Sequence, residues 1–192
     1  MSDHGFHVHG PHDHEVEHAV QHIAKSSSTG LIAVVTAVLA TVGALFSYMG
    51  GATQANAGLF KNNAAIKKTE ASNQWNYYQA KSSKQNLAEL AIVLAPEDKR
   101  AGYKDEVERY KKEKAEIKVA ADKLEAESTQ WDQQSESQMH LHHRWAQATT
   151  ALQIAIALAA MALLTGRKWL EYGMYGVAAL GLSLGVAAAM HL

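Results

Sequence analysis

Apolar positions recur every seven residues along two long, otherwise polar stretches. Tyr103, Tyr110, Ile117, Leu124, Trp131, Trp145 and Leu152 share one register, interrupted at Gln138. Ala52, Leu59, Ile66, Ala80, Leu87 and Leu94 share another, interrupted at Asn73. A seven-residue apolar repeat sustained over this length is the signature of a left-handed coiled coil. Pro96 disfavours helical geometry at Ala95, and Gly102 is a second loosening point, so a turn is predicted near 95–102. The arms on either side would reach about 65 Å and about 72 Å as straight helices. Arms so closely matched predict an antiparallel hairpin over 52–145, protruding from a membrane. Pairing Leu94 with Tyr103 then sets Leu87 by Tyr110, Ile66 by Trp131 and Ala52 by Trp145. Asn73 falls on this seam, where one buried Asn can fix register, and Glu113 falls off it.

Three stretches break the polar pattern. Leu31–Met49, Ala146–Thr165 and Tyr172–Met190 contain no Asp, Glu, Lys or Arg. Each is long enough as helix to cross a hydrocarbon core of about 30 Å. The first could also be read as a signal peptide, because Ala55-Asn56-Ala57 resembles a small-residue cleavage site. The stretch before it is too long and acidic for that, which favours an uncleaved anchor. Ser26-Ser27-Ser28-Thr29-Gly30 offers capping hydroxyls ahead of it. The register of Trp145 runs on into Leu152 and Ala159, so the return arm and the second span are expected to be one helix. The predicted organisation is a head at 1–28, spans at 29–51, 146–165 and 172–192, the hairpin at 52–145 and a short basic loop at 166–171. Arg167 and Lys168 in that loop favour its cytoplasmic placement, with the head inside and the hairpin periplasmic. Gly43, Ser47 and Gly51, Ala151, Ala155 and Ala159, and Gly181, Gly185 and Ala189 form small-residue faces that permit close helix approach.

Charge and composition remove several classes of function. The chain has 18 basic and 19 acidic residues and no cysteine. That balance predicts no nucleic-acid partner, and thiolate metal sites, disulfides and thiol catalysis are excluded. No phosphate loop, no supported nucleophile–base pair and no HExxH occurs, so catalytic residues are expected to be none. The three charge-free stretches carry no ionisable residue apart from tyrosines, which leaves no visible charged path through them. The sharpest chemistry lies in the head, where His4, His7, His9, His12, His14, His18 and His22 make up seven of the eleven histidines. Imidazole binds Zn, Ni, Cu and Co, and His14, His18 and His22 have the spacing that puts ligands on one helix face. The competing reading is a polar tail that holds metal loosely. His140, His142 and His143 read as an interfacial collar beneath Trp145. Trp75, Tyr77 and Tyr78 span more than one helix face and cannot all enter a two-helix seam, so they are candidates for a contact with another subunit or partner, as are Gly181 and Gly185.

The head, His4-Gly-Phe-His7-Val-His9-Gly-Pro-His12-Asp-His14-Glu-Val-Glu17, and the stretch Glu70-Ala-Ser-Asn-Gln-Trp-Asn-Tyr-Tyr-Gln-Ala-Lys81 resemble the bacterial family catalogued as domain of unknown function four-three-three-seven. The resemblance covers essentially the whole chain. It implies an inner-membrane protein with three spans and supplies no activity, substrate or site residue. The expected fold is therefore all-α, with three transmembrane helices and a long antiparallel coiled-coil hairpin inserted between the first and second. The expected function is that of a non-enzymatic scaffold or assembly protein of the inner membrane. It would form a symmetric homo-oligomer or meet an unknown membrane-protein partner, and would require no cofactor. The alternatives are a metal-handling protein and, with least support, an oligomeric channel.

Overall fold

The computed structural model describes the backbone of residues 13–190 and the side chains of residues 29–190. Among the described residues there are three helices and no strand: α1 (Asp13–Leu94), α2 (Glu97–Thr165) and α3 (Lys168–Ala189). The expected helix break around Ser26–Gly30 does not occur, and α1 runs through that stretch and through Gly50 and Gly51. It contains no proline. An isolated helical glycine costs only about 1 kcal/mol relative to alanine, which packing elsewhere along so long a helix can offset.

The predicted turn at 95–102 contracts to Ala95 and Pro96. The Ala95 N–H donates to the Ala91 carbonyl at 2.8 Å and closes α1. The Pro96 carbonyl accepts from the Lys99 N–H at 3.1 Å and opens α2. Pro96 lacks an N–H that a helix start would leave unbonded anyway, and Glu97 and Asp98 in the first turn suit the positive end of the helix dipole. Gly102 is helical, so it loosens nothing. The return arm and the second apolar stretch are one helix, as the register predicts.

Between α2 and α3 lie Gly166 and Arg167. Gly166 has φ +64°, and its N–H donates to the Ala162 carbonyl at 2.8 Å. A residue with a Cβ would be strained in this left-handed cap. Helix α3 then begins at Lys168, four residues before the uncharged stretch it contains.

The chain divides into two units. One, the apolar unit, joins residues up to Gly50 with those from His143 onward, and the other, the polar unit, is Gly51–His142. In the apolar unit Ile32, Leu39, Leu152, Ala155, Ala159, Met174 and Ala178 form the core, with Val35, Val42, Phe46, Ile156, Leu158 and Val177 packed against it. Many large apolar side chains of this unit nonetheless face outward, among them Leu31, Val34, Val38, Leu45, Leu164, Leu180 and Val186. Exposed apolar surface on that scale is unfavourable in water and ordinary in lipid. All three helices are long and apolar enough to cross a membrane.

Candidate interaction surfaces

The polar unit is held by small residues. Ala57, Ala64 and Ala71 of α1 are buried, and so are Ala121, Ser128 and Ser135 of α2. Each set repeats every seven residues. The Ser128 hydroxyl donates to the Ala64 carbonyl at 2.8 Å, and the Ser135 hydroxyl donates to the Ala57 carbonyl at 2.8 Å. The same step carries the pairing to Ala71 and Ala121, both of which are fully excluded from solvent. A hydroxyl reaches across to a main-chain carbonyl only where no large side chain separates the backbones. Ion pairs flank the seam: Lys61 with Asp132, and Lys68 with Glu125 at 3.0 Å. These pairs are exposed and add little on their own.

This arrangement corrects the register expected for the first arm. Leu59, Ile66, Leu87 and Leu94 are 56%, 48%, 66% and 75% exposed, and Asn73 is exposed as well. The second-arm register stands, with Ile117 buried and Leu124 and Trp131 half-buried. Trp131 meets Phe60 at 5.5 Å between ring centroids, in place of the expected Ile66. The reason is steric and polar together. A seam of alanine and serine admits a closer approach than stacked leucines, and the serine hydroxyls gain main-chain acceptors there. The first-arm leucines are thereby turned to the flank.

Further along the same two helices, aromatic rings and cations replace the small residues. Trp75 and Tyr78 meet edge to face at 5.6 Å, and the Lys114 ammonium lies 5.0 Å from the Tyr78 ring centre. Lys114 also donates to the Gln85 side-chain oxygen at 3.1 Å. The Lys81 ammonium sits 5.1 Å from the Tyr77 ring and 5.6 Å from the Tyr110 ring. It pairs with Glu113 Oε2 at 2.6 Å, an oxygen withdrawn from solvent. Glu113 is therefore part of the contact between the helices, where the sequence pattern had set it apart. Hydrogen bonding from Lys81, supported by the charges of Lys81, Arg109 and Lys84, holds the Glu113 carboxyl below its ordinary range against the opposing effect of burial. Hydrogen bonding to Glu113, then to Tyr77, raises Lys81 in turn. Of the three aromatics expected at a partner contact, Trp75 and Tyr78 are half-buried in this cluster and Tyr77 is exposed.

In the apolar unit the glycines receive large side chains. Gly181 is buried, and a Cβ built there would come within 2.9 Å of Leu152 Cδ2 and 3.1 Å of Ala151 Cβ. A Cβ on Gly185 would enter the Phe46 ring, which itself packs on Trp145 at 5.2 Å between centroids. Gly43 lies beside Leu152. The 181/185 face, expected at a subunit boundary, is thus filled from within the chain. Phe46 was not legible as its occupant. The signal available was the one phenylalanine of its span, opposite unusually small residues.

The metal-binding expectation falls largely beyond view. His4, His7, His9 and His12 lie outside the described residues, and His14, His18 and His22 fall within α1 with their side chains outside them. Among the described residues no group of three or more His, Cys, Asp or Glu could hold a metal ion. His140 and His143 are exposed, and His142 is half-buried.

These features define an all-helical protein with three helices long and apolar enough to cross a membrane. The chain belongs to the family described as domain of unknown function (DUF4337), whose model matches residues 28–191. No curated protein and no solved structure matches it.

Proposed function

We propose that this chain is a non-enzymatic scaffold or assembly protein of the bacterial inner membrane, which crosses it three times and self-associates. In this reading residues 51–142 form an extramembrane antiparallel coiled-coil hairpin. Its support is the stepwise pairing of Gln85 with Lys114, Ser128 with Ala64 and Ser135 with Ala57, in which one number rises as the other falls. The observation that carries self-association is the displaced heptad of α1. Leu59, Ile66, Leu87 and Leu94 keep coiled-coil spacing yet stand outside the α1–α2 seam, joined by exposed Leu90 and Val93. A stripe of large apolar residues on a polar unit is a surface for another helix. The basic pair Arg167 and Lys168 favours the cytoplasmic side for its loop, which makes the hairpin periplasmic.

Mass measurement in mild detergent tests the association, with a closed oligomer expected and a monomer fatal to the reading. Replacing both Leu87 and Leu94 by Glu is expected to lower the oligomer's order while leaving helix content unchanged. Orientation is read from Ala101→Cys, an exposed site in a chain without native cysteine. Labelling of intact cells by an impermeant maleimide through the periplasm is expected, and labelling only after lysis reverses the topology.

A further inference from the structure

Helix α2 presents a second unpartnered face within its apolar stretch. Ala148, Leu152, Ala155 and Ala159 are fully buried and point one way. On the opposite side Ala146, Thr150, Gln153, Ala157, Ala160 and Leu164 are all exposed. Their spacing alternates strictly between four and three residues, the step of a helix-packing seam. Most of these residues are small. The exception in chemistry is Gln153, about 12 Å along the helix beyond Trp145 at 1.5 Å per residue.

Gln153 has no side-chain partner among the described residues. Four of the hydroxyls nearby differ in this respect. Thr36, Thr41, Thr150 and Ser183 each donate to a carbonyl of their own helix, at 2.7, 3.0, 2.8 and 2.8 Å. A primary amide carries two N–H donors and an acceptor oxygen, and it cannot satisfy itself in this way on a helix surface. At this depth in a bilayer no water is available, so its partner has to be protein. The outward faces of the other spans are largely aliphatic, with Leu31, Val34 and Val38 on α1 and Leu180, Leu182 and Val186 on α3, and the exposed hydroxyls of Thr41 and Ser183 are already donated within their own helices.

We infer that Gln153 is the centre of a helix–helix contact with a second copy of this chain, α2 against α2. All copies enter the membrane in one orientation, so a symmetric contact brings Gln153 to Gln153. The amide is self-complementary, giving a hydrogen bond from its nitrogen and taking one at its oxygen. Ala146, Ala157 and Ala160 allow the two helices to approach closely enough for that exchange. This deepens the self-association reading and rests on it, assigning the membrane part of the contact to one face.

The test uses the full chain in native membranes. Ala157→Cys is expected to give a disulfide-linked dimer on mild oxidation, whereas Leu182→Cys, on the outward side of α3, is expected to stay monomeric. Gln153→Leu is expected to weaken association in mild detergent about tenfold, and Gln153→Asn to retain most of it. An oligomer in which Ala157→Cys does not cross-link and Gln153→Leu has no effect overturns this assignment but leaves self-association standing. Cross-linking of Ala157→Cys to a protein of different mass overturns it too, by naming another occupant. A monomeric unaltered protein removes both readings together.

Discussion

Around Ala57, Ala64 and Ala71, small residues face small residues; around Gly181 and Gly185, they face Leu152 and Phe46. Both are close approaches of helices, achieved by different means. In the polar unit the absence of bulk brings two backbones together, and serine hydroxyls cross the gap to bond main-chain carbonyls. In the apolar unit the glycines are notches that large side chains fill. The residues available explain the difference. Where alanine and serine face each other, the hydroxyls supply bonds to main-chain carbonyls that the close approach withdraws from water. Where glycines face large apolar side chains, contact comes from fitting shapes together.

The comparison is broken most sharply by overpacking. Gly185→Leu sets a side chain where the Phe46 ring lies, and a loss at or above the usual range of about 1–3 kcal/mol is expected. Trimming the occupant, Phe46→Ala, should recover much of that loss in the double variant, read by thermal unfolding in detergent. Ala71→Leu is expected to destabilise by about 1–3 kcal/mol, with no such rescue from Ala121→Gly, because the opposing seam residues are already small and leave no large side chain to trim. Rescue at both sites would mean the two contacts work alike.

A smaller effect is expected from the serines. Ser128→Ala and Ser135→Ala each remove one inter-helix hydrogen bond while leaving carbonyls already bonded within α1. Each should cost about 0.5–1.5 kcal/mol in denaturant titrations. No loss at either position would reduce the seam to simple alanine packing.

The smallest effect concerns pH and the aromatic end of the polar unit. Glu113 is held below its ordinary value, so its contribution is present above the unfolded carboxylate range and fades as pH falls through the depressed folded value. Lys81 is raised, so its contribution is present below the ordinary lysine range and is lost as pH rises through the raised folded value. Stability from the pair should therefore be greatest between about pH 5 and pH 10. Lys81→Met with Glu113→Gln should flatten the melting temperature at both edges of that window, and Asp132→Asn, at the exposed Lys61 pair, should leave it alone.

Much of the fold was legible in the sequence. Three charge-free stretches, Pro96 and a register from Tyr103 to Leu152 broken only at Gln138 located the helices and the fusion of the return arm with the second span. The first-arm seam was not legible, because two heptads run side by side there. One carries Leu59, Ile66, Leu87 and Leu94, and the other carries Ala57, Ala64 and Ala71. Size favoured the first, whereas closeness of approach selected the second. The clue was present in the matching repeat of Ala121, Ser128 and Ser135. Glu113 was misplaced for a related reason, since a charge reads as solvated until its partner Lys81 is seen beside it. Gly181 and Gly185 were recognised as a packing face, but a single sequence does not say which helix fills it.

The two-residue connection at Ala95 and Pro96 bears on how this chain reaches its folded state. Contacts across the proposed hairpin span steadily longer loops, from 29 residues between Gln85 and Lys114 to 78 between Ala57 and Ser135. Closing a loop costs entropy that grows only with the logarithm of its length, and each formed rung shortens the next loop that must close. Assembly is therefore expected to start at the bend and proceed like a zip toward Ala57, so changes near Gln85 should slow refolding while changes near Ser135 mainly hasten unfolding. Stopped-flow rates for Gln85→Ala and Ser135→Ala would reveal that polarity, and the opposite assignment of rates would mean that the seam nucleates first. During synthesis the same geometry delays closure until the bend and about twenty residues beyond it have emerged. Until then Ala57, Ala64 and Ala71 of the first arm stand without a neighbour.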